Sequence, residues 1–295
     1  MKFILQLLLI AALQISCTSG QKDFRKATSS ISSEEIAGYV SKLGSDEFMG
    51  RKPFSEGEKI TVSYLAEQLR LSGFEPPFNG SYFQEVPMTE ITSKSEKIFV
   101  TQSSKDIMSL TTPDEAAIVS PIRNESISVK KSDMVFAGFG IVAPEYEWND
   151  YQGLDVKGKT VIVLVNDPGL YTGDSLLFKG REMTYYGRWT YKYEEAARQG
   201  AEGILIIHET EGAGYQYSIP RKSSITPRLY VENSDNKNIC KYTGWLSSES
   251  AERLFSYLGI DVSELRKDAC KKGFRGFPMN LQASVDIKNK IKHDK

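Results

Sequence analysis

The sequence predicts an α/β fold, in which two N-terminal helices precede a layer of strands and helices. Residues 157–165 (KGKTVIVLV) and 203–208 (GILIIH) are runs of β-branched and aliphatic residues, which are typical of strands buried on both faces. A helical segment at 191–199 lies between them and ends before Gly200. The order strand, helix, strand predicts an α/β layer in this half of the chain.

The first helix is predicted by its N-terminal signals. Ser32 and Glu35 have the spacing of a capping box, and Ile31 and Ile36 have the spacing of a hydrophobic staple. We therefore expect a helix that starts at this point and ends near Gly44.

A second helix is predicted over residues 56–72, because apolar residues recur there at helical spacing and Gly73 follows. Residues 81–91 predict a strand, in which Pro87 indicates an edge or a bend. The polar and mixed region 93–132 contains short strand-like pieces such as 116–119.

A new core begins at Met134, where an apolar segment leads to the first buried strand. Ser247 is the predicted N-cap of a helix that ends near Leu258. Residues 277–286 predict a last strand, and the basic, polar residues that follow it predict a ragged tail.

The composition is that of an ordinary globular protein, with 40% hydrophobic and 25% charged residues in a chain of 295. This length fits one large domain or two modest ones, and we interpret the chain as two domains. The formal net charge is −1, so electrostatics does not favour nucleic acid as a partner.

The N-terminus predicts export. Lys2 precedes an apolar run over residues 3–15, which is too short to span a bilayer but suits the core of a signal peptide. Residues 1–16 are thus the predicted signal peptide, and Cys17, after a small residue, resembles the lipidation site of bacterial lipoproteins. We expect a lipoprotein anchored to a membrane in the periplasm or on the cell surface, with residues 17–30 as a flexible tether. Plain secretion and an uncleaved anchor are the alternatives.

Histidine is scarce, and this limits the catalytic mechanisms open to the chain. His208 closes a buried strand, where we expect a structural role. His293 lies in the predicted tail, which would not hold its side chain as precisely as catalysis requires. A Ser or Cys nucleophile would have to use one of these two as its base. Cys240 and Cys270 could form a disulfide in an oxidising compartment, or could be separate buried thiols.

The segment MTYYGRWTYKYEE, residues 183–195, is the candidate binding surface. Clustered Tyr, Trp and Arg residues are typical of binding hot spots, although packing beneath a long loop is equally compatible with the pattern. The residues that could contact a substrate or a partner are Tyr185, Tyr186, Arg188, Trp189 and Tyr191. Two weaker motifs, AGFGIVAP and KKGFRGF, do not predict nucleotide or nucleic-acid binding, because the first lacks a third glycine and the second is short.

Three ordered segments resemble the co-catalytic zinc aminopeptidases, a family that includes glutamate carboxypeptidases and the transferrin receptor. Residues 45–76 (SDEFMGRKPFSEGEKITVSYLAEQLRLSGFEP) resemble its N-terminal signature. Residues 135–169 (VFAGFGIVAPEYEWNDYQGLDVKGKTVIVLVNDPG) and 192–215 (KYEEAARQGAEGILIIHETEGAGY) resemble its inserted protease-associated domain.

The resemblance implies an incomplete zinc-peptidase α/β domain, with two helices and one or two strands, that carries an inserted α+β protease-associated domain. The implied boundaries are 31–116 for the first peptidase segment, 117–275 for the inserted domain and 276–295 for a return strand. Complete members hold two zinc ions through two histidines and three carboxylates, and these positions would follow Lys295. The resemblance therefore assigns no catalytic, cofactor-binding or metal residue to this chain.

Two main functions remain open. The first is an exported fragment of a zinc-dependent aminopeptidase that is inactive alone, and a separate chain could then supply the missing catalytic half. The second is a non-catalytic module that binds peptides or proteins. An unrelated enzyme that uses Cys240, Cys270 or His208 is a third possibility.

Overall fold

The computed structural model describes residues 18–232 and 239–294. The chain divides into two compact units, Met1–Glu85 and Val86–Lys295. The predicted signal peptide, residues 1–16, and the predicted lipidation site Cys17 lie outside the described residues. Across the described ranges, the structure contains no helix with the length and apolar character needed to cross a membrane.

The first unit is helical, as the sequence predicts. Its α-helices are Thr18–Ser29 (α1), Ser33–Leu43 (α2) and Glu56–Leu71 (α3), and a 3₁₀ helix spans Asp46–Arg51. The Ser32 side chain accepts a hydrogen bond from the Glu35 N–H at 3.2 Å, which confirms the predicted N-cap of α2. The predicted ends of α2 and α3 are confirmed as well, since Gly44 and Ser72 are their C-caps.

Two expectations for the first unit are wrong. Residues 18–29 form α1, whereas the polar composition predicts a flexible stretch over 18–30. The segment can be helical because its Lys, Arg, Gln and Ala residues have high helix propensity. The strand predicted over 81–91 is displaced. It begins at Met88, in the second unit, directly after Pro87, which has no N–H to donate to a sheet.

The second unit is a mixed α/β structure, in agreement with the predicted fold class. Its strands are Met88–Lys94 (β1), Lys97–Gln102 (β2), Lys105–Thr111 (β3), Ala116–Val119 (β4), Ser126–Phe136 (β5), Val142–Ala143 (β6), Trp148–Asn149 (β7), Thr160–Leu164 (β8), Gly203–Ile207 (β9), Arg228–Val231 (β10), Tyr242–Leu246 (β11) and Phe277–Asp294 (β12). Its α-helices are Pro168–Thr172 (α4), Trp189–Arg198 (α5), Thr210–Ala213 (α6), Ser218–Ser224 (α7), Ser248–Tyr257 (α8) and Val262–Ala269 (α9). Short 3₁₀ helices span Pro144–Tyr146 and Tyr185–Gly187.

One large curled sheet organises this unit. The strand order is β10-β1-β12-β5-β8-β9-β11-β4, with β2 and β3 attached to β12, and β6 and β7 form a separate pair. The central strands β5, β8, β9 and β11 run parallel, whereas the outer pairs are antiparallel. Strands β10 and β4 are the two ends of this order.

The core lies on both faces of the parallel strands. Alternate residues of β8 and β9 belong to two apolar clusters, because successive side chains of a strand point to opposite faces. One cluster includes Leu254 and Phe255 of α8, and the other includes Ala196 and Ala197 of α5. This confirms that 160–164 and 203–207 are strands buried on both faces.

The predicted domain boundaries at 116/117 and 275/276 do not separate compact units. The boundaries place β1 and β2 in the first segment, β5 in the second and β12 in the third. Strand β12 nevertheless pairs with β1, β2 and β5. The compact unit instead begins at Val86 and continues to the end of the chain.

The predicted ragged tail is also wrong, because β12 continues to Asp294. Residues 287–290 alternate between buried and exposed, so the lysines point outward and the intervening residues point inward. His293 pairs with Thr89 of β1 and is therefore part of the sheet.

Candidate functional site

The five residues of the predicted binding surface surround the start of α5. Tyr185 and Tyr186 lie in the short 3₁₀ helix, Arg188 is the N-cap of α5, and Trp189 and Tyr191 belong to its first turn. The structure separates them into residues held by internal contacts and residues that remain exposed.

Tyr191 and Tyr186 are held by internal hydrogen bonds. Tyr191 is only 3% exposed, and its hydroxyl accepts from the Val142 N–H at 3.1 Å and donates to the Val142 carbonyl at 3.0 Å. The Tyr186 hydroxyl donates to the Glu145 carboxylate at 2.6 Å, and this bond raises the pKa of Tyr186 to about 12. Tyr191 is thus part of the core and does not belong to an exposed binding surface.

Tyr185, Arg188 and Trp189 are exposed. The Tyr185 hydroxyl donates to the Glu194 carboxylate at 2.6 Å. Trp189 is 40% exposed, and its ring meets the Tyr193 ring edge-on with 5.5 Å between the centroids. Of the five predicted residues, Trp189 is the one that lines the cavities described next.

The large cavity has a volume of about 440 Å³ and lies beside α5. Most of its wall is apolar or aromatic, and the principal contributors are Val119, Trp189, Tyr193, Ala197, Leu229 and Tyr230. Cavities of about 300–1,000 Å³ with such walls are typical of ligand-binding sites.

One face of α5 forms part of the wall of this cavity. Trp189, Tyr193 and Ala197 are four residues apart, so their side chains lie along one face of the helix. Lys192 and Ala196 lie on the buried side. The same amphipathic helix therefore contributes to the core and to the cavity.

Strand β10 also lines this cavity, and it pairs with β1 at one end of the sheet order. The Glu232 N–H donates to the Pro87 carbonyl at 2.8 Å, and this fixes which residues of β10 are hydrogen-bonded to β1. By the alternation of an antiparallel ladder, Leu229 directs its N–H and C=O away from β1. A strand edge thus borders the large cavity.

A small cavity of about 170 Å³ adjoins the large one. Tyr215, Trp245, Ile219 and Pro220 line it. The residues common to both cavities are Trp189, Tyr193, Ser223 and Arg228. We call the two cavities together the α5 groove, and these four residues its dividing wall.

Among the described residues that line the groove, Arg228 is the one cation and Glu194 the one anion. Arg228 is half-buried in the dividing wall, and its guanidinium donates to the Ser223 carbonyl at 3.4 Å and to the Ser223 hydroxyl at 2.8 Å. Glu194 lines the large cavity and lies 3.8 Å from Arg198. Glu194 thus has a cationic neighbour, whereas the described partner of Arg228, Ser223, is neutral.

His208 has a structural environment, as the sequence predicts. Its Nε2 lies 3.0 Å from the Tyr215 carbonyl oxygen, and this bond requires the N–H of His208 to donate. The rings of Tyr215, Tyr217 and Trp245 surround the imidazole. Burial lowers the pKa of His208, because it disfavours the charged imidazolium.

His293 is held in place on β12, with its Nδ1 2.9 Å from a carboxylate oxygen of Glu232 and 3.3 Å from the Thr89 hydroxyl. Cys240 and Cys270 are free thiols, which decides between the two alternatives for them. Burial raises the pKa of Cys240 to about 12 and that of Cys270 to about 11, so neither is activated as a thiolate nucleophile.

A buried charged cluster lies beneath α5. Asp150 accepts hydrogen bonds from the Phe139 N–H, the Ile141 N–H and the Trp148 indole at 2.9–3.1 Å. The Lys192 ammonium is fully buried and has no hydrogen-bond partner among the described residues. Burial raises the pKa of Asp150 and lowers that of Lys192, because it disfavours the charged form of each group.

The residues that the structure describes do not fit a paired zinc site. No three His, Cys, Asp or Glu side chains of these residues come together in a way that could hold a metal ion. The two histidines have other partners, since one binds a backbone carbonyl and the other a single carboxylate. Two zinc ions need a larger set of converging ligands.

Tyr193 lies within the predicted segment 183–195 but is not one of the five residues singled out there, whereas Arg228 lies outside every predicted site. Tyr193 follows Trp189 by one helical turn and therefore shares its face. Arg228 stands alone in the segment TPRLY, and no local pattern indicates that β10 brings it to α5.

No protein-family model matches the sequence, and no curated protein matches it. Among solved structures, the chain is similar to an aminopeptidase from Aneurinibacillus sp. strain AM-1, with 14% identity and a TM-score of 0.34 over 85% of this chain and 45% of that one. It is also similar to BSAP, a zinc aminopeptidase from Bacillus subtilis, with 13% identity and a TM-score of 0.27 over 80% of this chain and 38% of that one. The chain thus spans less than half the length of either enzyme, and these values are too low to assign an activity to it.

Proposed function

We propose that this chain is the non-catalytic, peptide-binding part of an exported zinc-dependent aminopeptidase. The α5 groove is the observation that carries the peptide-binding role. Its large cavity offers apolar and aromatic walls for a side chain, and Leu229 offers backbone groups for a peptide main chain.

The aminopeptidase context rests on the sequence resemblance. Under this proposal, residues 117–275 correspond to most of a protease-associated domain, and the zinc ligands come from other residues, on the same or on a separate polypeptide. The described residues support this division of roles, because their histidines are engaged elsewhere and their thiols are unactivated.

Exposed apolar helix faces in the first unit are consistent with a further protein partner. Helix α2 buries none of its residues, and Ile36, Tyr39 and Val40 are all exposed. Helix α3 exposes Val62, Leu65 and Leu69 at helical spacing. Contiguous apolar surface of this kind marks interaction sites, and a catalytic α/β domain is the partner that we propose for it.

Export by the predicted signal peptide and membrane anchoring through a lipid on Cys17 are part of the same proposal. In a bacterial host that expresses the whole chain, radioactive palmitate should label the wild type and the Cys240→Ser variant. It should not label Cys17→Ser. Equal labelling of all three, or of none, would contradict lipidation at Cys17.

The peptide-binding role is tested by titrating the purified chain with apolar and polar tetrapeptides and following tryptophan fluorescence or heat. We expect micromolar to millimolar binding of apolar peptides, and at least a tenfold loss in Trp189→Ala, since aromatic anchors dominate such sites. Tyr257→Ala is the matched control, because Tyr257 is an exposed aromatic residue on α8 that does not line the groove.

The non-catalytic role is tested with leucine p-nitroanilide and added zinc. We expect no hydrolysis by the chain alone. Zinc-dependent hydrolysis that co-purifies with the wild-type chain would disprove the non-catalytic role. Binding that Trp189→Ala leaves unchanged would disprove the groove as the peptide site.

A further inference from the structure

Arg228 has only neutral hydrogen-bond partners among the described residues, unlike several other arginines of the second unit. Arg198, Arg221, Arg253 and Arg266 of the second unit each lie within ion-pair distance of a carboxylate. Arg228 forms no such pair with any residue in 18–232 or 239–294, and it donates only to Ser223. A half-buried guanidinium with neutral partners is suited to an external anion, because planar guanidinium binds carboxylate through two parallel hydrogen bonds.

The position of Arg228 next to apolar surface narrows the kind of anion. The guanidinium belongs to the dividing wall, so the large cavity lies on one side of it and the small cavity on the other. A ligand that fills the large cavity and reaches Arg228 must carry a carboxylate close to a bulky apolar group. A free C-terminal residue has this chemistry, since its α-carboxylate and side chain share one Cα.

We propose that the α5 groove recognises the C-terminal residue of a peptide, with the α-carboxylate on Arg228 and an apolar side chain in the large cavity. This proposal rests on the peptide-binding function and adds which end of the peptide is bound. The dividing wall then places a preceding, smaller residue at the small cavity, which is lined by Tyr215 and Trp245.

The test compares acetyl-Ala-Ala-Phe as the free acid with the same peptide as the C-terminal amide, by calorimetry on the full chain. We expect the acid to bind at least tenfold more tightly than the amide. The bound carboxylate could come from the C-terminus or from an acidic side chain. Acetyl-Ala-Asp-Phe-amide carries only the side-chain carboxylate, and we expect it to bind no more tightly than acetyl-Ala-Ala-Phe-amide.

Arg228→Gln should remove the preference for the acid, so that the acid binds this variant no more tightly than the amide does. Arg275→Gln is the matched control, because Arg275 is exposed, donates to Gln152 and does not line the groove. Trp189→Ala should weaken the binding of the acid peptide and of the amide peptide by the same factor. The comparison of acid with amide on the wild-type chain remains decisive even if Arg228→Gln fails to fold.

The outcomes separate this inference from the function beneath it. Equal binding of acid and amide would overturn C-terminal recognition while peptide binding stands. Tight binding of acetyl-Ala-Asp-Phe-amide would also overturn it, since a side-chain carboxylate would then be the ligand. Binding of no peptide would overturn the proposed function and this inference together.

Discussion

At the scale of single residues, Asp150 is the clearest structural anchor. Its carboxylate satisfies two backbone N–H groups and an indole N–H in a site that is 2% exposed. Asp150→Ala leaves three buried donors without an acceptor, so we expect a loss of about 3 kcal/mol or more in the free energy of unfolding. Urea denaturation measures this change.

Asp150→Asn is the matched control for that prediction. One carboxylate oxygen accepts both backbone bonds, and an amide oxygen can replace it, so only the bond to Trp148 is lost. We expect a cost of about 1–2 kcal/mol for the asparagine variant. Equal losses in the two variants would show that these hydrogen bonds do not stabilise the fold.

His208 makes stability depend on pH. Its folded pKa lies below its unfolded value of about 6.5, so the unfolded chain binds more protons in the interval between them. Stability from neutral His208 is therefore complete above about pH 6.5 and is lost as pH falls through the folded pKa.

A His208→Gln variant tests this pH dependence. Its amide N–H can replace the donor to the Tyr215 carbonyl, but glutamine does not titrate. We expect the fall in urea midpoint between pH 7 and pH 5 to be smaller in His208→Gln than in the wild type. Parallel pH profiles would assign the decrease to other groups, such as Glu115, whose pKa is lowered by its hydrogen bond to the Thr111 backbone.

At the scale of elements, features set by neighbouring residues could be predicted from the sequence, whereas contacts between distant segments could not. Ser32 and Ser247 cap their helices as expected, because an N-cap depends only on residues within one turn. Trp189 was found for a similar reason, since aromatic clustering is visible in sequence. The position of Arg228 beside α5 and the burial of Asp150 and Lys192 could not be predicted, because they depend on how distant strands and helices pack.

The end of β12 carries the alternating pattern of a strand, although its charge favours a solvated tail. Ile287 and Asn289 are buried and alternate with exposed lysines, which is the period of a strand, but the charge of the segment suggested a solvated tail. An antiparallel sheet commonly has one face on the core and one face in solvent, and the lysines of this segment lie on the solvent face.

Ile287 gives a direct test of this strand. It is 1% exposed, so Ile287→Ala should lower the free energy of unfolding by about 2–5 kcal/mol. The neighbouring Lys288→Ala should change it by less than about 0.5 kcal/mol, because surface substitutions have small effects. Urea denaturation that found both variants equal to the wild type would indicate that residues 287–294 do not pack against the sheet.

At the scale of the whole molecule, the sheet decides where the compact unit begins and ends. Strand β12 pairs with β1, β2 and β5, so the two ends of the second unit are joined through one strand. A family resemblance cannot reveal this, because it divides the chain by likeness and not by strand pairing. The boundaries 31–116, 117–275 and 276–295 therefore describe resemblance, whereas Val86 marks the start of a packed unit.

Limited proteolysis tests this organisation. Residues 74–77 and 83–87 lie outside any helix or strand and are mostly exposed, so a protease should cut there first. We expect a resistant fragment that starts near residue 86 and includes β12, identified by mass spectrometry. A resistant fragment of about 117–275 would contradict this prediction, because removal of β1, β2 and β12 exposes the whole side of β5 that β12 covers. Since β5 also pairs with β8, loss of β12 should propagate into the parallel strands and expose the core that supports the α5 groove.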